Sequence, residues 1–280
     1  MTELDRKYSV NDYKDKARAY NREIGQTRDN LSQIVESTAN EERWSKIELL
    51  SIQLQIFYTS SVVMLEGRNE IWPYDYMSFS RRIGELWEPF CKICFRFPMR
   101  GIKQFVPPLF SEVKICLTTE IIKYIDCLNI SESQKIQLKD YYSKVWSLVT
   151  SGEIKLELDL HFIQVNTHYV VDFKSGFGSN EKGNTNRLLL VGTIYKNILG
   201  KDYECIMFVR SEQNNNYLNT LKSSGVWKVY CGKYAYDQIH KFTSFNLQQW
   251  ISDNVNWHQD FCAEMSSFVK QHNLTQYLIW

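Results

Sequence analysis

Asp172 and Lys174 stand two residues apart in Tyr169-Val170-Val171-Asp172-Phe173-Lys174, a run whose β-branched and aromatic residues predict a strand. Residues two apart on a strand share a face, so the carboxylate and the ammonium would lie side by side. Upstream, residues 154–163 alternate. Lys155, Glu157, Asp159 and His161 form one face, and Ile154, Leu156, Leu158, Leu160 and Phe162 the other. This pattern predicts a half-buried strand, turned by Gln164 to Thr167 into a hairpin. In the right register Asp159 projects beside Asp172. Two such carboxylates can hold a hard divalent cation such as Mg2+, completed by waters and a phosphate oxygen. The cation would act as a Lewis acid and lower the pKa of a bound water, while the lysine orients that water. The chemistry such a set suits is phosphodiester hydrolysis. The plainer alternative is the wet face of a hairpin, with weak surface ion pairs.

Around this pair, the sequence predicts a mostly helical first half. Residues 10–40 read as a solvated helix or helical pair, and 41–66 as a buried helix ended by Gly67, with a turn at Trp72-Pro73. Residues 78–95 predict another helix. Pro98, Gly101 and Pro107-Pro108 then break the chain, residues 109–128 have helical spacing, and Ser131 or Ser133 would cap a helix running to about Val149. The character changes at Ser151-Gly152. After the hairpin, Gly176, Gly178 and Gly183 predict a loop, 187–199 a helix, 203–209 and 226–230 strands, and 234–242, 246–254 and 257–271 helices. The division expected is a helical region over 1–77, an α/β core over 78–245 with a helical insertion at about 109–149, and C-terminal helices over 246–280.

Composition narrows the classes. The chain has 280 residues, 44% hydrophobic and 23% charged, with a formal net charge of +1. That is ordinary globular usage, and it excludes a strongly basic nucleic-acid coat. No apolar leader opens the chain, and the longest apolar stretch, Ile47 to Leu65, carries Glu48, Gln53 and Gln55, so a core helix is expected rather than a bilayer span. Seven cysteines without an export signal suit reduced thiols and a cytoplasmic location. Rival motifs fall short. Residues 178–185 have Asn184 where a phosphate loop needs lysine, so no nucleotide cofactor is expected. Cys91-Lys92-Ile93-Cys94 lacks a second pair for zinc. His161 follows Asp159 on the same strand face and could lie near a metal, although a surface histidine on the wet face is the favoured reading. Gln213-Asn214-Asn215-Asn216 has the side chains for bidentate contacts to adenine, although a plain polar loop is the favoured reading. Lys182 and Arg187, with Asn186 between them, could meet a phosphate backbone.

Asp159, Asp172, Lys174 and the surrounding order of helix, hairpin, helix and strand resemble the PD-(D/E)xK nucleases, over roughly residues 78–231. Leu158 stands where the family name has proline. The resemblance implies a mixed α/β (α+β) fold with a restriction-endonuclease-like αβββαβ core. It also implies metal binding by Asp159, Asp172 and the Phe173 carbonyl, and water positioning by Lys174. The family's leading helix often gives one more acid. In Arg81-Arg82-Ile83-Gly84-Glu85-Leu86-Trp87-Glu88 that acid would be Glu88, with Glu85 second. The activity implied is Mg2+-dependent cleavage of double-stranded DNA, with Mn2+ as a substitute, by a type II restriction endonuclease. Two-fold duplex sites suit a homodimer, in a bacterial or archaeal cytoplasm. The alternatives are a structure-selective or repair nuclease of the same fold, and a catalytically silent DNA-binding module.

Overall fold

The computed structural model describes residues 2–147, 154–176, 181–200, 202–212 and 214–280. The Ser151-Gly152 boundary, the last turn expected near Val149, Gly178 and Gln213 lie outside these residues. The N-terminal helices are α1 (Thr2–Lys7), α2 (Tyr13–Glu42), α3 (Lys46–Ile71) and α4 (Tyr76–Arg96). Residues 10–40 thus belong largely to one long helix rather than a pair. Each start of α3 and α4 has a chemical cause. Ser45 Oγ accepts from the Glu48 N–H while the Glu48 carboxylate accepts from the Ser45 N–H, a reciprocal cap that satisfies two donors left free by the helix. Asp75 does the same for α4 by accepting from the Ser78 N–H at 2.7 Å.

Gly67 does not end the third helix, as the sequence suggests. It sits inside α3 because Tyr20 of α2 packs on it, and a Cβ there would lie 2.1 Å from the Tyr20 ring. Helix α3 is also long and apolar enough to cross a membrane by length and composition. Here it is a core helix, as expected. Leu50, Leu54 and Leu65 are fully buried between its neighbours.

The chain continues through β1 (Lys103–Gln104), α5 (Phe110–Cys127), α6 (Glu132–Ser147), β2 (Leu160–Gln164), β3 (Thr167–Lys174), α7 (Lys182–Thr193) and β4 (Tyr203–Val209). Then come α8 (Asn216–Ser223), β5 (Trp227–Cys231), α9 (Lys233–Thr243), α10 (Leu247–Asn254), α11 (Trp257–Asp260) and α12 (Ala263–Gln271). The strands form one mixed sheet in the order β1-β2-β3-β4-β5. The first three are antiparallel, and β3, β4 and β5 run parallel. The β2–β3 turn is tight, with Gln164 paired to Thr167 and both central residues, Val165 and Asn166, at positive φ. That is the turn whose twist suits a two-residue hairpin.

Alternation along the strands builds two cores. Phe162, Val171, Phe173 and Phe208 face α3, α4, α9 and the C-terminal helices. Val170, Cys205, Met207 and Val209 face α7 and α8 on the other side. The interior of the first core therefore draws on residues from Leu50 to Leu274. Helix α4 enters it along one stripe, Phe79, Ile83, Leu86, Trp87, Phe90, Cys91 and Cys94, at helical spacing.

Four further expectations need correction. The strand expected over 154–163 is paired only from Leu160. Among the described residues, 154–158 have no partner strand, and side chains bond their backbone instead: Tyr195 donates to the Leu156 carbonyl, and the Leu158 N–H donates to His161 Nε2. The chain bends at Asp159. Across that bend the alternation changes phase, so that Leu156 and Leu158 join the α7 side and Leu160 and Phe162 the α4 side. His161 is consequently not on a wet face. It is 7% exposed and packs between Phe105 and Tyr195. Gly183 belongs to α7 rather than to a loop, because that helix starts at Lys182, and its last turns widen into a π-helical stretch, Ile194–Leu199. Finally, residues 214–216 are not plain loop. Asn215 caps α8 by accepting from the Tyr217 and Leu218 N–H groups, and Asn216 is the first residue of that helix.

Candidate active site

The register carries the site. Leu160, paired with Val171, ends the β2–β3 ladder, and Asp159 follows immediately, close enough for its charge to act on Asp172. Asp159 lies at the bend, and its Oδ2 accepts from the Phe173 N–H at 2.7 Å. The side chain thereby takes a donor that the ladder, ending at Leu160, no longer reaches. Asp172 points to the α7 side of the sheet, on the same face as Val170 and Lys174. It is 2% exposed, which a solvent-facing surface pair would not be. Its Oδ2 lies 2.6 Å from Lys174 Nζ, an ion-pair distance, but outside the angles of a hydrogen bond.

Helix α4 supplies the third carboxylate. Glu88 Oε1 accepts from Lys92 Nζ at 2.7 Å, and the same ammonium lies 3.5 Å from Asp159 Oδ1. Glu85 turns away, pairing with Arg81 and Arg82. Helix α4 can come this near the end of β3 because Gly84 faces Ser175. A Cβ on Gly84 would sit 2.5 Å from the Ser175 Cβ. The Lys92 ammonium also lies 5.8 Å from the centre of the Phe173 ring.

Electrostatics follows the geometry. Burial pushes the Asp172 carboxyl up to about 6, and the Asp159 charge adds to the rise, against the pull of Lys174 and Arg187. Glu88 is raised for the same first reason, burial, with Lys92 opposing and Asp159 reinforcing. Burial holds His161 down at about 4, so it stays neutral at physiological pH and serves as the acceptor for Leu158. Asp159 at the bend thus acts on two carboxylates, Glu88 of α4 and Asp172 of β3, with Lys92, Lys174 and Arg187 as the cations that act on them among the described residues.

The residues expected from the sequence fall into two groups. Asp159 links the first group at one end of the sheet: Glu88 and Asp172 each interact with it, Lys174 pairs with Asp172, and Arg187 on α7 is close enough to act on Asp172. Lys182 and Asn186 are exposed on α7, and Asn214 and Asn216 are exposed around the start of α8. Among the described residues no hydrogen bond or ion pair joins these four to the acids. Gln213 lies outside the described residues. Lys92 is the participant sequence reasoning missed. Its signal was present, a lysine four residues after Glu88 on one helix face.

No protein-family model, no curated protein and no solved structure matches the chain. The site therefore has to be read from its own chemistry. Among the described residues no three acid, histidine or cysteine side chains converge into a ready-made metal cage. The donors that are present are nevertheless all oxygen, and one of them, Asp172 Oδ2, is buried without a hydrogen bond. Such a set fits a hard cation that keeps several waters, as Mg2+ does, rather than a fully protein-ligated ion.

Proposed function

We propose that the chain is a Mg2+-dependent nuclease of the PD-(D/E)xK type that hydrolyses phosphodiester bonds of double-stranded DNA, acting as a type II restriction endonuclease. The observation that carries this reading is the buried Asp172 carboxylate. It is paired with a lysine two residues on and feels the Asp159 charge, and Glu88 from another element interacts with that same Asp159. The element order supports it. Helix α4, strands β1, β2 and β3, helix α7 and strand β4 follow one another as αβββαβ, with α5 and α6 inserted.

In this reading Asp159, Asp172 and the Phe173 carbonyl hold the cation. When bound it supplies charge to the phosphate and acidity to a water. The chain's own residues do the rest. The Phe173 N–H fixes the Asp159 carboxylate in place. Lys174 Nζ already lies beside the Asp172 carboxylate and within 3.4 Å of the Phe173 carbonyl, where it can orient a water and share its proton. Lys92 neutralises Glu88 and Asp159 until a cation does so. Arg187 of α7 acts on the Asp172 carboxylate and in this reading meets a phosphate, and a homodimer would match the two-fold symmetry of a duplex site. Mn2+ is expected to replace Mg2+.

The test is conversion of supercoiled plasmid with Mg2+ and with EDTA, using wild type, Asp172→Ala and Lys174→Ala. Each change is expected to lower cleavage by at least about a hundredfold, the scale of a lost proton-handling group, with the circular dichroism spectrum unchanged. Cleavage at near wild-type rate in both variants would remove the assignment.

A further inference from the structure

A cavity of about 350 Å3 opens beside the carboxylate cluster, between α2, α3, α4 and the start of β2. Asp159 and Lys92 line it, so it is continuous with the candidate active site. Its walls combine two chemistries. Ile56, Phe57, Pro89, Ile93 and Phe97 make apolar surface. Arg28, Lys92 and Arg96 bring three positive charges, each with an acid beside it: Asp29 for Arg28, Glu88 and Asp159 for Lys92, and Glu36 for Arg96.

The polar groups are held in place before any ligand arrives. Asp29 takes the Nε and Nη2 donors of Arg28 at 2.9 and 2.8 Å, and the Arg28 guanidinium lies 5.0 Å from the centre of the Phe57 ring. Arg96 is tied to Glu36. Gln53 is 4% exposed, and Ser32 fixes its amide. Gln53 Nε2 donates to the Ser32 carbonyl at 2.9 Å, and Gln53 Oε1 accepts from Ser32 Oγ at 2.6 Å. An amide nitrogen has two N–H groups and an amide oxygen two lone pairs, so each atom keeps one position for a ligand.

An apolar slot with a fixed, buried amide and guanidinium groups at its rim has the recognition chemistry of a planar heterocycle carrying a phosphate. Ligand cavities run from roughly 300 to 1,000 Å3, and this one lies at the small end, the scale of a single such unit. We infer that the cavity takes one unstacked nucleotide, its base against Phe57 and Ile93 beside the Gln53 amide and its phosphate against Arg28, Lys92 and Arg96. The inference rests on the nuclease reading for its biological sense but not for its test. The nucleotide has two possible sources, a strand terminus or a nucleotide drawn out of the duplex interior.

Thymidine 5′-monophosphate titrated into the protein in EDTA, followed by calorimetry, is the direct test, with Ile56→Trp and Ser32→Phe as two independent ways to fill the cavity. Wild type is expected to bind saturably, and each filled variant that retains the wild-type spectrum is expected to bind at least tenfold more weakly. No saturable binding by wild type, or equal binding by a folded filled variant, overturns the inference. So does inorganic phosphate binding as tightly as the nucleotide, since the base would then contribute nothing. Because no metal is present, the result separates from the cleavage assay. A chain that cuts DNA but does not bind the nucleotide loses the cavity assignment alone, and one that binds but does not cut loses the nuclease reading alone. Duplexes carrying one 4-thiothymidine, at a 5′ end or in the interior, then separate the sources. A photo-cross-link to the peptide containing Phe57 or Ile93 from the end probe marks a terminal nucleotide, and from the interior probe an extruded one. A cross-link from neither overturns the inference.

Discussion

Replacing Asp172 by asparagine should stabilise the metal-free protein at neutral pH while removing its activity. The native state holds the Asp172 proton up to about pH 6, whereas an ordinary aspartate gives it up near 3.8. Between those values the folded chain binds more protons than the unfolded one, so stability falls as pH rises through the window and stays low above it. The stabilising contribution is complete below pH 3.8 and lost above about 6. The displacement corresponds to about 3 kcal/mol as an upper scale. The Asp172→Asn side chain has no proton to lose and escapes this cost. Urea unfolding in EDTA at several pH values between about 4 and 8 measures the effect. The difference in stability, variant minus wild type, should rise by about 2–3 kcal/mol from pH 4 to pH 8. At about pH 8 saturating Mg2+ should then stabilise the wild type, by about 2.7 kcal/mol at a hundredfold excess over Kd, and leave the variant nearly unmoved. A difference that stays flat or falls with pH would refute the claim that Asp172 is a buried, strained carboxylate.

Other changes probe the scaffold around the site. Gly84→Ala places a Cβ 2.5 Å from Ser175, so it should cost about 1–3 kcal/mol in thermal or urea unfolding and should lower cleavage by shifting the end of β3. Val165→Asn should raise stability by about 1 kcal/mol, because a β-branched residue at φ 48 is replaced by one that tolerates the left-handed region, and the melting temperature reads this directly. Lys92→Met removes the cation that opposes the upward shift of Glu88, so carbon-13 NMR of the glutamate carboxyls should show the Glu88 titration moving to higher pH.

Much of this architecture was legible because burial writes itself into alternation and periodicity. The run Tyr203 to Val209 and the hairpin strand through Val170 and Val171 are buried on both faces or nearly so, and their β-branched and aromatic content marks them as strands. The stripe from Phe79 to Cys94 marks α4 in the same way. The candidate acids were visible as a spacing, Asp172 and Lys174 on one strand face. Other features depend on contacts far apart in the chain. Nothing near Asp159 signals that the alternation reverses there. The bend is held by Tyr195 and His161, one of them distant in sequence. Gly67 looked like a helix stop because its reason for being glycine is the Tyr20 ring on another helix. Strand β1 is two residues long and leaves no periodic trace. The cavity beside Asp159 is assembled from α2, α3 and α4, which no local pattern joins.

Digestion of long unmethylated duplex DNA with Mg2+, beside an EDTA control and Lys174→Ala, tests the central claim most directly. The predicted result is a set of discrete fragments that require the metal and disappear in the variant. Absence of cleavage with both Mg2+ and Mn2+, or fragments that persist undiminished in Lys174→Ala, would contradict it.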